Sequence, residues 1–159
     1  MPFGMKKILL LFSVCAVCFA CNPDPVKYGG LIIGAWEVKE REIDISGAGD
    51  NYDMLRLEMR EKFDWIGEVF EFKTGNIVTD SEENDGTYYI VGDRLQMKPA
   101  RSGGEALNFT IVNLKNRSLI ITYEAVEELP VLTEHFPELT KCLVTITATK
   151  KNKLQNNPQ

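Results

Sequence analysis

The sequence predicts an all-β protein: an eight-stranded antiparallel meander barrel with a short helical lid and a short helical cap. Three observations predict it. Short segments of alternating apolar and polar residues recur along the chain. Tight turns such as Thr74-Gly75-Asn76 and Gly92-Asp93 separate them. Eight such segments are present, the number that closes a small barrel and removes its edge strands.

The chain before the barrel reads as an address. Lys6 and Lys7 precede a thirteen-residue apolar run, residues 8–20. About 20 residues are needed to span a bilayer as a helix, so this length fits the core of a secretory signal peptide, 1–20. Cys18, Phe19 and Ala20 before Cys21 resemble the lipobox of bacterial lipoproteins. That resemblance implies cleavage before Cys21 and acylation of its sulfur and its amine. Asn22 after the cysteine implies the outer membrane, with the protein on either the periplasmic or the surface face. Pro23 and Pro25 then stiffen a tether, residues 21–30. The barrel is expected over 31–150 and a polar tail over 151–159.

The four cysteines agree with this reading. Cys15 and Cys18 leave with the signal and Cys21 carries lipid. Cys142 remains, so no intramolecular disulfide is expected. The formal net charge of −5 grows two units more negative when Lys6 and Lys7 leave. An acidic chain lacks the electrostatic footprint of a nucleic-acid binder. It has no overall attraction for anionic lipid either, so acyl chains are the expected membrane link.

The elements follow in order. Residues 31–43 form the first strand, with Trp36 and Val38 inward. Residues 51–66 place Met54, Leu55, Met59, Phe63 and Ile66 at three- and four-residue spacings and predict the helical lid. In 67–73, Phe70 and Phe72 face one side, Glu71 and Lys73 the other. Residues 76–80 make a short third strand, and Asp80 to Asn84 a polar loop. Strand 86–91 turns Tyr88 and Ile90 inward, 94–98 Leu95 and Met97, and 106–113 Leu107, Phe109 and Ile111. Strand 117–125 adds Leu119, Ile121 and Tyr123. In 126–139, Pro130 and Pro137 bound a short helical cap carrying Val131, Leu132, Phe136 and Leu139. Strand 141–149 closes the barrel with Cys142, Val144 and Ile146 inward.

Up-and-down topology fixes which loops share an end. The connections after strands one, three, five and seven are 51–66, 80–84, 99–104 and 126–139. They are longer than the turns at the other end and are expected to rim an open mouth. Met59, Phe63 and Phe136 would gate it, with Tyr88, Phe109 and Tyr123 as further candidate pocket-lining residues. Trp36 is expected to plug the opposite end, its indole N–H bonded to a carbonyl. A plug can also floor a cavity.

Leu31-Ile32-Ile33-Gly34-Ala35-Trp36 at the first strand of an exported chain of this size resembles the lipocalin-like (calycin) bacterial lipoprotein family. EFKTGNIV, 71–78, and DGTYYIVGDRLQMK, 85–98, are similar to its second to fifth strands. The resemblance covers about residues 28–150. Where that family usually sets an arginine over the tryptophan, 141–151 offers Lys141, Lys150 and Lys151. A lysine can also lie over an indole.

Catalytic constellations are missing from the sequence, and neither enzyme activity nor a cofactor is expected. The single histidine, His135, has no evident partner for acid–base work. The acidic run from Asp80 to Gly86 fails as a calcium loop: glycine falls seventh rather than sixth, and Val91 occupies the twelfth place. Ser102-Gly103-Gly104 opens no helix that would cradle phosphate. No metal site is expected. Two functions remain open. One is a lipid-anchored protein binding a small apolar or amphipathic ligand in the barrel mouth. The other is a filled barrel that docks or inhibits another envelope protein.

Overall fold

The computed structural model describes residues 28–100, 105–115 and 117–152. The signal segment, Cys21, the tether up to residue 27, loop residues 101–104, Asn116 and the tail from 153 lie outside the described residues.

Eight strands form a closed barrel in sequence order. They are β1 (Gly34–Ser46), β2 (Val69–Lys73), β3 (Ile77–Thr79), β4 (Asp85–Val91), β5 (Arg94–Lys98), β6 (Leu107–Lys115), β7 (Ser118–Glu124) and β8 (Lys141–Lys150). Each pairs antiparallel with the next, and β8 pairs back onto β1 from Trp36↔Lys150 to Ser46↔Lys141. Closure leaves no open sheet edge. Among the described residues four short helices complete the fold: α1 (Gly29–Ile32), α2 (Tyr52–Lys62), α3 (Ala125–Glu128) and α4 (Pro130–His135).

The first strand begins three residues later than alternation suggests. Residues 29–32 close one helical turn instead, with Ile32 N–H donating to the Tyr28 carbonyl at 3.0 Å. A short apolar run such as Leu31-Ile32-Ile33 carries no period that separates strand from helix. Gly34 then reverses the chain at φ +128°, a conformation L side chains rarely adopt. A Cβ there would also lie 2.7 Å from Cε of Lys150.

Two bulges reset the alternation. One falls between Val38 and Glu40, the other between Ile111 and Asn113. Directly paired residues share a face of the sheet. Past the first bulge Arg41 opposes Ile146 and Ile43 opposes Val144, so both face the interior. Past the second, Leu114 pairs with Leu119 and joins the core. The inward residues read by alternation are buried, except Ile90, which is half-buried. Val78 and Ala148 complete the packed interior. The void enclosed between Trp36, Val38, Phe70, Met97 and Ile146 measures only about 20 Å³. The barrel is therefore filled by side chains, one of two outcomes open to eight strands.

The lid is α2, entered through a 3-10 turn, Gly49–Asn51. Leu55, Met59 and Phe63 recur every four residues and form its buried stripe. Met54 and Ile66, grouped with them by spacing, are exposed. Met54 lies off that stripe, and Ile66 follows the end of the helix. The cap divides into α3 and α4, with Pro130 opening the second. It buries Ala125, Leu132 and Leu139, and half-buries Phe136, while Val131 is exposed.

Candidate functional site

The closed end is built around Trp36. Its ring is fully buried, and Nε1–H donates to the Ile32 carbonyl at 2.6 Å. The helical turn α1 thus supplies the acceptor for the plug. Lys150 Nζ lies 5.2 Å from the ring centroid and donates to the Leu31 carbonyl at 3.3 Å. A lysine therefore covers the indole in this chain. The bare Cα of Gly34 leaves room for its stem.

The mouth is organised by Arg41. Its side chain is only 8% exposed. Nη1 donates to the carbonyls of Arg60 at 2.8 Å and Phe63 at 2.6 Å, and the Asp64 carboxylate lies 3.6 Å away. The last carbonyls of a helix lack intrahelical donors and form its negative pole. Arg41 satisfies them from inside the barrel and fixes where α2 ends.

That anchorage sets an aromatic cluster across the mouth. Phe63 packs 4.9 Å from Tyr123, 5.3 Å from Trp65 and 6.1 Å from Phe109, centroid to centroid. Trp65 meets Phe70 at 5.1 Å and Phe109 at 5.9 Å. Beside Trp65 opens a cleft of about 250 Å³. Trp65, Phe70, Leu107 and Pro99 supply apolar walls; Lys62, Asp64, Glu68, Asp80 and Glu105 supply polar ones. Lys62 pairs with Glu105 at 3.3 Å and stands 5.9 Å from the Tyr123 ring centroid. Burial pushes the Tyr123 phenol far up, and the nearby Glu128 and Glu105 carboxylates add to that.

The 80–84 loop beside the cleft is held by one carboxylate. Asp80 Oδ1 accepts from the backbone N–H of Glu82 at 2.9 Å and of Asn84 at 3.0 Å, and Asn84 Nδ2 reaches both its oxygens at 3.2 Å. This is an Asx-type turn, with Glu83 at φ +63°. Val69 N–H donates to Ser81 Oγ at 2.7 Å and ties the loop to β2.

The sequence-predicted residues fall into place unevenly. Met59, Phe63, Tyr88, Phe109 and Tyr123 are buried in the core, and Phe136 is half-buried against it. None of the six is among the residues lining the cleft. Tyr88 lies lower in the barrel, its hydroxyl donating to the Lys73 carbonyl at 3.0 Å and its ring edge-on to Phe72. Loop 99–104 borders the cleft through Pro99, and its residues 101–104 lie outside the described ones. His135 contacts a carbonyl of its own helix, Val131 O, at 2.9 Å. Cys142 is a buried thiol whose pKa burial raises to about 11, with Glu124 and Glu58 adding to the shift. Among the described residues no group of His, Cys, Asp and Glu is arranged to hold a metal ion.

Alternation did not reveal Trp65 or Arg41. Trp65 follows the lid helix, outside any period. Arg41 reads as outward by alternation from Val38, and only the bulge at Lys39 turns it inward.

A family model described as a lipocalin-like domain matches residues 32–121. The matched stretch runs from the acceptor of the Trp36 plug through the lid and the cleft into β7. No curated protein and no solved structure matches the chain. Lipocalin-like proteins are typically non-enzymatic, and their barrel is a binding-module fold. With the match covering over half the sequence, and with a closed meander of eight strands around a buried Gly-x-Trp tryptophan, the chain belongs to the lipocalin-like domain family.

Proposed function

We propose that the protein is a lipid-anchored envelope binding module. Residues 1–20 export it, acylation of Cys21 holds it at the outer membrane, and the cleft beside Trp65 takes a small apolar or amphipathic molecule. The observation that carries the reading is the cleft itself: an indole, a phenyl ring and a leucine wall one space at the open end, ringed by charged groups. Pockets for drug-sized molecules run from about 300 to 1,000 Å³. A cleft of about 250 Å³ suits a smaller molecule, or one end of a longer one. The ligand is amphipathic on this reading because apolar walls and charged groups border the same space.

One observation favours a second reading. The barrel interior is nearly full. A filled barrel suits a module that docks another envelope protein, for which the exposed Met54 and Leu57 of the lid would be contacts.

Binding of an environment-sensitive fatty-acid probe separates the two. Asp64 is exposed at the rim, so Asp64→Phe fills the cleft while Arg41 keeps its two carbonyl partners. The expected outcome is saturable binding to the full chain that is lost in Asp64→Phe. Binding indifferent to that substitution, or none, favours the docking module. The anchor has its own test: metabolic labelling with a fatty acid should mark the wild type and not Cys21→Ser.

A further inference from the structure

The net negative charge of the chain hides a segregation along the barrel axis. The turns at the plugged end carry Lys73, Arg94, Lys115 and Arg117, and β8 leaves there through Lys150 and Lys151. Asp93 is the one acid within those turns. Glu71 and Glu37, further up their strands, pair with Lys73 and Lys151, each at 3.8 Å. Arg94, Lys115 and Arg117 are exposed and make no direct ion pair among the described residues, with Arg94 bordering a surface groove that Glu127 and Glu128 also line. The mouth carries the acidic excess. Residues 80–85 contain four acids and no base and residues 124–138 five acids with no lysine or arginine, while the lid sets Asp53, Glu58, Glu61 and Asp64 against Arg56, Arg60 and Lys62.

Apolar residues lie among the closed-end bases. Leu31 is 46% exposed, Val91 70% and Val112 60%, and Ile77 opens β3 directly after its turn. The described chain also begins and ends here, at Tyr28 and just past β8 at residue 152. Seven residues, 21–27, reach at most about 25 Å when extended.

We infer that the closed end is a docking face for a bilayer surface bearing anionic headgroups, with the mouth and its cleft turned away from the bilayer. Lysine and arginine are drawn to the negative surface potential of such a bilayer within about a Debye length, roughly 8–10 Å. Interspersed apolar side chains can enter the interface. The acidic mouth is repelled by the same potential, so the orientation has a sign. An anchor at Cys21 brings the correct end within reach; to that extent the inference rests on the proposed acylation. It is independent of the ligand proposal.

Hydrogen exchange of the full, acylated chain on vesicles tests the face. One vesicle type is zwitterionic, and the other carries about one-third anionic phosphatidylglycerol, whose surface potential is the attracting field. The expected result is several-fold slower exchange at 73–77, 91–94 and 112–118 on the anionic vesicles alone. Loops 80–85 and 124–138 should exchange as in solution. The protection should disappear in about 0.5 M salt, where screening shortens the Debye length to a few ångströms. It should also disappear in Arg94→Glu/Lys115→Glu/Arg117→Glu, whose substitutions all lie on exposed turns. Equal protection on both vesicle types, or protection that survives charge reversal, overturns the inference. Chain that floats with both vesicle types but shows no closed-end protection overturns the face and leaves the anchor standing. Chain that floats with neither overturns both.

Discussion

Trp36 concentrates more of the fold's stability in one side chain than surface residues do. Its ring is buried, its N–H is bonded, and a lysine covers it. Trp36→Ala should cost about 3–5 kcal/mol, read as a lower urea midpoint. An unchanged midpoint would contradict the plug. Arg41→Met should cost about 1–3 kcal/mol, because it strips the donors from two carbonyls at the end of α2. Cys142 and Tyr123 make stability depend on pH at the alkaline side. Burial pushes the Cys142 thiol up to about 11, against an ordinary value of 9.0. Between those values the unfolded chain binds fewer protons than the folded one, so stability falls as pH rises through that window. The raised Tyr123 phenol extends the fall. Urea midpoints should drop between pH 8 and pH 10.5, and less steeply in Cys142→Ala. A flat profile would contradict the buried thiol.

The elements differ in how firmly they are held. β8 is hydrogen-bonded on both sides, by β1 and by β7. The lid helix α2 is held by Arg41 and one apolar stripe. Backbone amides of 52–62 should therefore exchange faster than those of 142–148. Comparable protection would mean that the lid opens only with the whole barrel. The strands and their inward residues were legible because a period of two survives wherever one face is buried. The lid was legible through its four-residue spacing. Legibility failed where backbone geometry departs from a period. The bulge at Lys39 inverted the face of Arg41, and Leu31 and Ile32 close a helical turn whose last carbonyl accepts from the Trp36 indole. Trp65 carries no period at all. Only tertiary packing sets it against Phe63, Phe70 and Phe109. Loop length and strand parity therefore marked the end where the long connections gather, but the six residues named there as pocket lining pack into or against the core.

At the scale of the molecule, a filled barrel separates two ends of opposite character. One is plugged and basic, and the described chain begins and ends there. The other is lidded and acidic, with an aromatic cleft. Far-UV circular dichroism should be strand-dominated, with a minor helical part from α2, α3 and α4. A helix-dominated spectrum would contradict the closed meander. The two indoles report on the two ends, Trp36 at the plug and Trp65 at the cleft. The most direct measurement is the nuclear magnetic resonance of their N–H groups during titration of the full chain with octanoate, a small amphipathic probe. The Trp65 resonance should shift saturably while the Trp36 resonance stays in place. A Trp65 resonance that never moves, or a saturable shift confined to Trp36, would contradict a ligand cleft at the mouth.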